Sequence, residues 1–140
     1  EVYSDYFEGE LEKRKSPAST SEEWLDKVLK DEYDIAWFSA NFFVNSIDKP
    51  IDTLTHAEYS VTPDRHIRKI FDLWGSEWGK QGTVPHEKIY QKFREEKESL
   101  ESDRIVFHYI QPHLPVVGRG KSFLYNRMRE DYIRLKNNEF

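Results

Sequence analysis

The sequence contains no cysteine, which excludes disulfide staples, thiolate nucleophiles and cysteine metal ligands together. At 140 residues it can do without them, since that length suits one domain with an ordinary hydrophobic core. Nor is there an excess of positive charge. Lys and Arg total 21 against 26 Asp and Glu, a formal net charge of −5, so neither nucleic acid nor an anionic membrane is expected as a partner. No apolar run approaches the length of a membrane span, and no basic-then-apolar leader is present. The lack of cysteine fits a reducing, cytoplasmic setting. The chain opens on Glu1 rather than Met, as a processed product or the middle of a longer protein would.

What the chain does have is aromatic bulk: four Trp, eight Tyr and nine Phe, enough to fill a core although charged residues make up 34%. The strongest β-forming run is Ile105-Val106-Phe107-His108-Tyr109-Ile110. Its near-continuous apolar character predicts a strand covered on both faces in the middle of a parallel sheet. Pro112 lacks the N–H that a ladder needs and forces Gln111 toward extended geometry, so pairing should stop near Ile110. His113 then lies between Pro112 and Pro115, on a stiffened loop at a strand end, where open α/β sheets place ligands. Histidine at such a position is either a ligand-binding group or an ordinary surface residue.

Upstream, residues 1–19 show neither helical nor strand period and are expected as an irregular arm ending in Lys13-Arg14-Lys15. Those three cations can hold a phosphate or simply be solvated. Thr20-Ser21-Glu22-Glu23 has the spacing of a capping box, and Trp24, Leu25, Val28 and Leu29 share a face, predicting a helix over 21–30. Asp34 to Ser39 reads as a second buried strand. Asn41 and Asn45 follow it, either as turn formers or as amides presented at the sheet end. Residues 42–62 read as loop, with a short strand at 57–61.

Over 63–74 the spacing of Ile67, Ile70, Phe71 and Trp74 argues for a helix. A resemblance to a known family, carried by other segments, instead favours a helical turn at 63–68 followed by a strand at 69–73. Pro85 opens a long amphipathic helix over 86–101, with Ile89, Tyr90, Phe93 and Leu100 inward, that crosses back over the sheet. Beyond Gly118, Arg119 and Lys121 stand close in sequence to His113 and either join it around an anion or form a solvated loop. Residues 122–137 carry a helical apolar pattern. His108 and His113 have no carboxylate between them, so a shared metal would need ligands from elsewhere, such as Asp64 or Glu58, and neither spacing suggests a metal site.

The string His108-Tyr109-Ile110-Gln111-Pro112-His113-Leu114-Pro115 with Gly118 resembles the strand and loop of sulfatase-like members of the alkaline phosphatase superfamily, the archaeal ones especially. So do Trp24-Leu25, Tyr33-Asp34-Ile35, Ser39-Ala40-Asn41, Val44-Asn45-Ser46 and Trp74 through Gly82-Thr83-Val84-Pro85, in that order. The resemblance spans roughly Thr20 to Gly118. It implies hydrolysis of sulfate or phosphate esters, with a nucleophile beside a divalent metal and a loop histidine, here His113, facing the anionic group. No Asp-His-Gly motif and no nucleophile motif before Thr20 occur in this chain, so a divalent metal is expected only in a full-length relative.

The expectation is therefore an irregular arm over 1–19 and one α/β domain or domain fragment over 20–140. Its sheet should be parallel-rich and flanked by helices, a partial alkaline-phosphatase-like three-layer arrangement. Its candidate substrate-binding residues are His113, Asn41, Arg119 and Lys121, and its expected ligand is an anionic ester. The alternative is a noncatalytic module for a protein partner or homo-oligomer, with an exposed apolar patch near Trp74, Trp78 or the N-terminal arm.

Overall fold

A computed structural model describes residues 12–47, 63–77, 83–110, 130, 133–134 and 137. Among them a three-stranded parallel sheet, in the order β2-β1-β3, carries helices on both faces. The chain runs α1 (Ser21–Val28), β1 (Tyr33–Ser39), a 3-10 turn (Pro63–Arg65), β2 (Ile67–Asp72), α2 (Leu73–Ser76), α3 (His86–Glu96), a second 3-10 turn (Lys97–Ser99) and β3 (Arg104–His108). The fold is mixed α/β with parallel pairing, as the strand and helix patterns imply.

β1 is the central strand, and its sequence suits that place. Ile35, Ala36, Trp37 and Phe38 form an unbroken apolar run, and the pleat sends alternate residues to opposite faces. On one side Ala36 and Phe38 join Phe71, Leu73, Trp74, Val84 and Ile89 in a core that α3 covers with Phe93. On the other, Trp37 joins Leu25, Leu29, Val44 and Ile70, with Trp24 and Val106 packed against them. Phe38 is fully buried, stacked on Phe71 at 4.4 Å between ring centroids and edge-on to Phe93 at 5.9 Å. Ile133 also packs against this core, and Glu130, Ile133, Arg134 and Asn137 are helical, as the spacing over 122–137 predicts.

The helix starts follow local chemistry. Thr20 Oγ1 accepts the Glu23 N–H at 3.2 Å. Glu23 departs from the usual box by reaching one residue further back, where its carboxylate accepts the Ser19 N–H at 3.1 Å and the Ser19 hydroxyl. Lys27, one turn on, donates to the same carboxylate and with Ser19 holds the Glu23 pKa below its ordinary value. The helix stops at Val28 rather than Lys30, and the Leu29 N–H closes it onto Leu25 O.

Several expectations change. β3 stands at the edge of the described sheet, pairing with β1 alone, and it ends at His108. Its apolar run was expected to be covered on both faces, yet Ile105, Phe107 and Tyr109 are 41, 40 and 41% exposed. In a three-stranded sheet only one strand has neighbours on both sides, and β1 takes that place. Ile110 alone of the run is deeply buried, beyond the strand end. β2 starts two residues earlier than expected, and Leu73 opens α2. The helical spacing of Ile67, Ile70, Phe71 and Trp74 arises because β2 and α2 bury residues against both core clusters. The long helix gives way to a 3-10 turn after Glu96, with Leu100 extended and packed on the core, and Tyr90, expected inward, is 57% exposed. The strand at 57–61, Trp78 and the arm over 1–11 lie outside the described residues.

Phe38→Ala should lower unfolding free energy by about 3–5 kcal/mol, the range for truncating a buried aromatic. Thr20→Ala should lower it by about 1 kcal/mol through loss of the cap. Urea denaturation followed by circular dichroism measures both, and equal effects would contradict the central place of Phe38.

Candidate functional site

β2 is added on one side of β1 and β3 on the other, so strand order reverses between the carboxyl ends of β1 and β3. Crevices of that kind are the usual ligand positions of open α/β sheets. The register pairs Ser39 with His108, and the Ala40 N–H donates to His108 O at 2.9 Å, so the two strands finish level.

Of the four candidate binding residues, Asn41 alone is described; His113, Arg119 and Lys121 lie outside the described residues. Asn41 builds the turn after β1. Its Oδ1 accepts the Phe43 N–H at 3.0 Å, its N–H donates to Ser39 Oγ at 3.2 Å, and its carbonyl accepts from Ser39 Oγ and the Val44 N–H. Asn45, buried, does the same one step on, with Nδ2 donating to Phe42 O and Oδ1 accepting the Ile47 N–H. Both asparagines satisfy backbone groups in a loop that neither helix nor strand can serve. Ser46 then ties this loop to the end of β2, its N–H donating to Asp72 Oδ1 at 2.9 Å and its hydroxyl donating to the same carboxylate.

Beside these turns, on the α1 face, is a cavity of about 390 Å³. It is lined by residues 18–21, Trp24, Leu25, Trp37, Val44 and His108. The start of α1 forms one wall and the ends of β1 and β3 another. His108 meets Trp37 edge to face, with ring centroids 5.7 Å apart. Trp37 Nε1 and His108 Nδ1 are both sealed from solvent and have no hydrogen-bond partner. Burial pushes the His108 pKa below its ordinary value, because a charged imidazole loses hydration there. The ring is therefore neutral near pH 7.

The histidine that lines this cavity is His108. His108 sits inside an apolar run, and only the β1–β3 register brings it against Trp37. A signal was present: two residues before it Val106 faces the same side, so alternation places His108 over the α1 layer. Arg14 pairs with Glu12 at 2.8 Å in solvent, His86 is exposed beside Glu87, and His66 Nδ1 lies 3.1 Å from Asp31 O. Among the described residues no three His, Asp or Glu side chains cluster in a way that could hold a metal ion, so the divalent metal implied by the resemblance has no ligand set there. Among the same residues no helix is long and apolar enough to cross a membrane. No protein-family model, curated protein or solved structure matches the chain.

Lowering pH should destabilise the fold through His108. The unfolded imidazole takes a proton near its ordinary pKa of about 6.5, whereas the folded one resists until lower pH. Between those two values the unfolded state binds more protons, so stability falls as pH drops and levels off below the folded pKa. Denaturation midpoints for the native chain and His108→Leu, measured from pH 7.5 to 5, should show a shallower acid slope in the variant; equal slopes would exclude His108 as the source.

Proposed function

We propose that this chain is a strand-end segment of a sulfatase-like or phosphatase-like ester hydrolase, in a partial alkaline-phosphatase-like three-layer arrangement. In it the chain holds an anionic ester, while groups that cleave the ester belong to other parts of such a protein. The observation that carries the proposal is the parallel β1–β3 register. Because Ser39 and His108 are level, the Asn41 turn and the chain following Ile110, which bears His113, Arg119 and Lys121, leave the same end of the sheet. Arginine, lysine and histidine donate charge-assisted hydrogen bonds to sulfate or phosphate oxygens, and an asparagine amide adds a neutral donor. The order of sequence words shared with sulfatase-like proteins supports the ligand class. The net negative charge and the absence of cysteine suit a cytoplasmic protein that binds neither nucleic acid nor membrane.

A second reading, a noncatalytic module for a protein partner or homo-oligomer, has its own support. The patch expected near Trp74 is not there, since Trp74 is fully buried under α3 and the loop after β1. Exposed apolar surface instead runs along β3, through Ile105, Phe107 and Tyr109, with Tyr90 on α3 nearby. An edge strand carrying such a strip is a template for association.

Nitrophenyl sulfate and nitrophenyl phosphate should not be turned over by this chain above buffer rates with added divalent metals. Phenyl sulfate or phenyl phosphate should bind, perturbing the His113 imidazole resonances, and His113→Ala should weaken that binding by about 1.5–3 kcal/mol. Binding unaffected by His113→Ala would overturn the ester site. Turnover abolished by it would instead place reacting groups within this chain. Sedimentation across a range of concentrations tests the second reading, which predicts a dimer that Tyr90→Lys weakens.

A further inference from the structure

We propose that Ser16 is a phosphorylation site for a proline-directed serine kinase, and that Lys27 on α1 helps to hold the phosphate once it is attached. The site does not depend on the ester-hydrolase reading and uses none of its residues.

Two hydroxyl residues in the chain are followed directly by proline, Ser16 and Thr62. The structure separates them. Pro63 is fully buried and opens a 3-10 turn, so a kinase pocket has no access to that ring. Pro17 is exposed, within a stretch over 12–20 that forms neither helix nor strand. A kinase has to close around the chain on both sides of the accepting hydroxyl, which this stretch permits. Ser16 Oγ donates to Ala18 O at 2.7 Å and accepts the Ala18 N–H at 3.3 Å, bonds that fold the segment on itself and detach nothing from the sheet when they break.

The hydroxyls that follow are committed to the start of α1. Ser19 Oγ donates to the Glu23 carboxylate, Thr20 Oγ1 accepts the Glu23 N–H, and Ser21 is the first residue of the helix. Drawing any of them into a kinase would cost the helix its cap.

The flanking residues set the class of enzyme. Pro17 has no N–H and biases Ser16 toward extended backbone, so a pocket shaped for its ring penalises residues whose N–H would be left unpaired there. In the phosphoryl transfer, Ser16 Oγ forms a bond to the γ-phosphorus of ATP as the bond to the β,γ-bridging oxygen breaks. The hydroxyl proton passes to the kinase's base and ADP leaves.

The product suits its surroundings. A phosphoserine adds about two negative charges and three acceptor oxygens. Lys27 Nζ donates to Pro17 O at 2.9 Å, holding the residue after Ser16 against α1. Lys13, Arg14 and Lys15 precede the hydroxyl, and the Arg14 pair with Glu12 lies in water, where it withholds little. With Lys27, these cations outnumber Glu12 and Glu23 by four to two among the described charges next to the segment, so the dianion is attracted rather than repelled. Lys27 gains a stronger acceptor than the Pro17 carbonyl, and the stretch ahead of α1 is pinned to the helix.

The test uses the full chain, ATP and a mitogen-activated protein kinase as the proline-directed probe, with fragment mass spectrometry locating the phosphate. Ser16 should be modified and Thr62 should not. Ser16→Ala should abolish incorporation, and Pro17→Ala should slow it about tenfold or more. No incorporation, or phosphate on Ser19, Thr20, Ser21 or Thr62 in place of Ser16, would overturn the site. Phosphorus NMR titration of the phosphorylated chain then reads the second phosphate ionisation. Its midpoint should lie about 0.2–0.7 pH unit below that of Lys27→Gln phosphorylated in the same way, the shift that a surface ion pair gives. Equal midpoints would overturn the part assigned to Lys27.

Discussion

Burial of two adjacent aromatic residues on opposite faces of one strand is the constraint on which the rest of this structure depends. Trp37 and Phe38 follow each other in β1, so the pleat sends one to each side of the sheet. Neither can be left in water without loss of about 1.5–3 kcal/mol of burial energy. Each therefore gathers its own layer: α1 with Leu25 and Leu29 over Trp37, α3 with Ile89 and Phe93 over Phe38. Strands β2 and β3 then flank β1 and close its backbone hydrogen bonds. Ion pairs contribute little to this arrangement, since those of Arg68 with Asp34 and Glu101 and of Lys92 with Glu96 lie at or near the surface.

Local signals in the sequence were enough to place most elements. The Thr20 cap, Pro85 ahead of α3 and the apolar run in β1 each act over a few residues, and each appears where its chemistry puts it. Over 63–74 the apolar spacing alone pointed to a helix, because β2 and α2 together bury Ile67, Ile70, Phe71 and Trp74 at positions that mimic a helical period. What the sequence did not contain was the neighbour count of each strand. β3 has higher β propensity than β1, yet propensity measures how a side chain fits a pleated surface, not how many strands lie beside it. Centre and edge were therefore exchanged, and with them the expected burial of Ile105, Phe107 and Tyr109.

The same limit explains the histidines. His113 attracts notice because prolines bracket it, a property read along the chain. His108 acquires its character across the sheet, from a register that sets it level with Ser39 and against Trp37. A lowered pKa, an unpartnered nitrogen and a cavity wall are all consequences of that pairing. Asn41 shows the converse. It was noticed for its place at a strand end, and the structure occupies its side-chain oxygen with the turn that place requires.

The two sides of the sheet end differ in what they can hold, and the difference follows from which residues each layer needs. The α1 side must cover Trp37, so among the described residues its lining is indole, leucine and valine, with polar atoms at the helix start and His108. Charge entering there would lose hydration, and the Glu23 carboxylate in the first turn of α1 is already satisfied by Lys27 and Ser19. Positive charge close in sequence to the strand ends is concentrated instead at Arg119 and Lys121, on the chain beyond Ile110. β1 is thus buried on both faces, and each face is completed by a different helix.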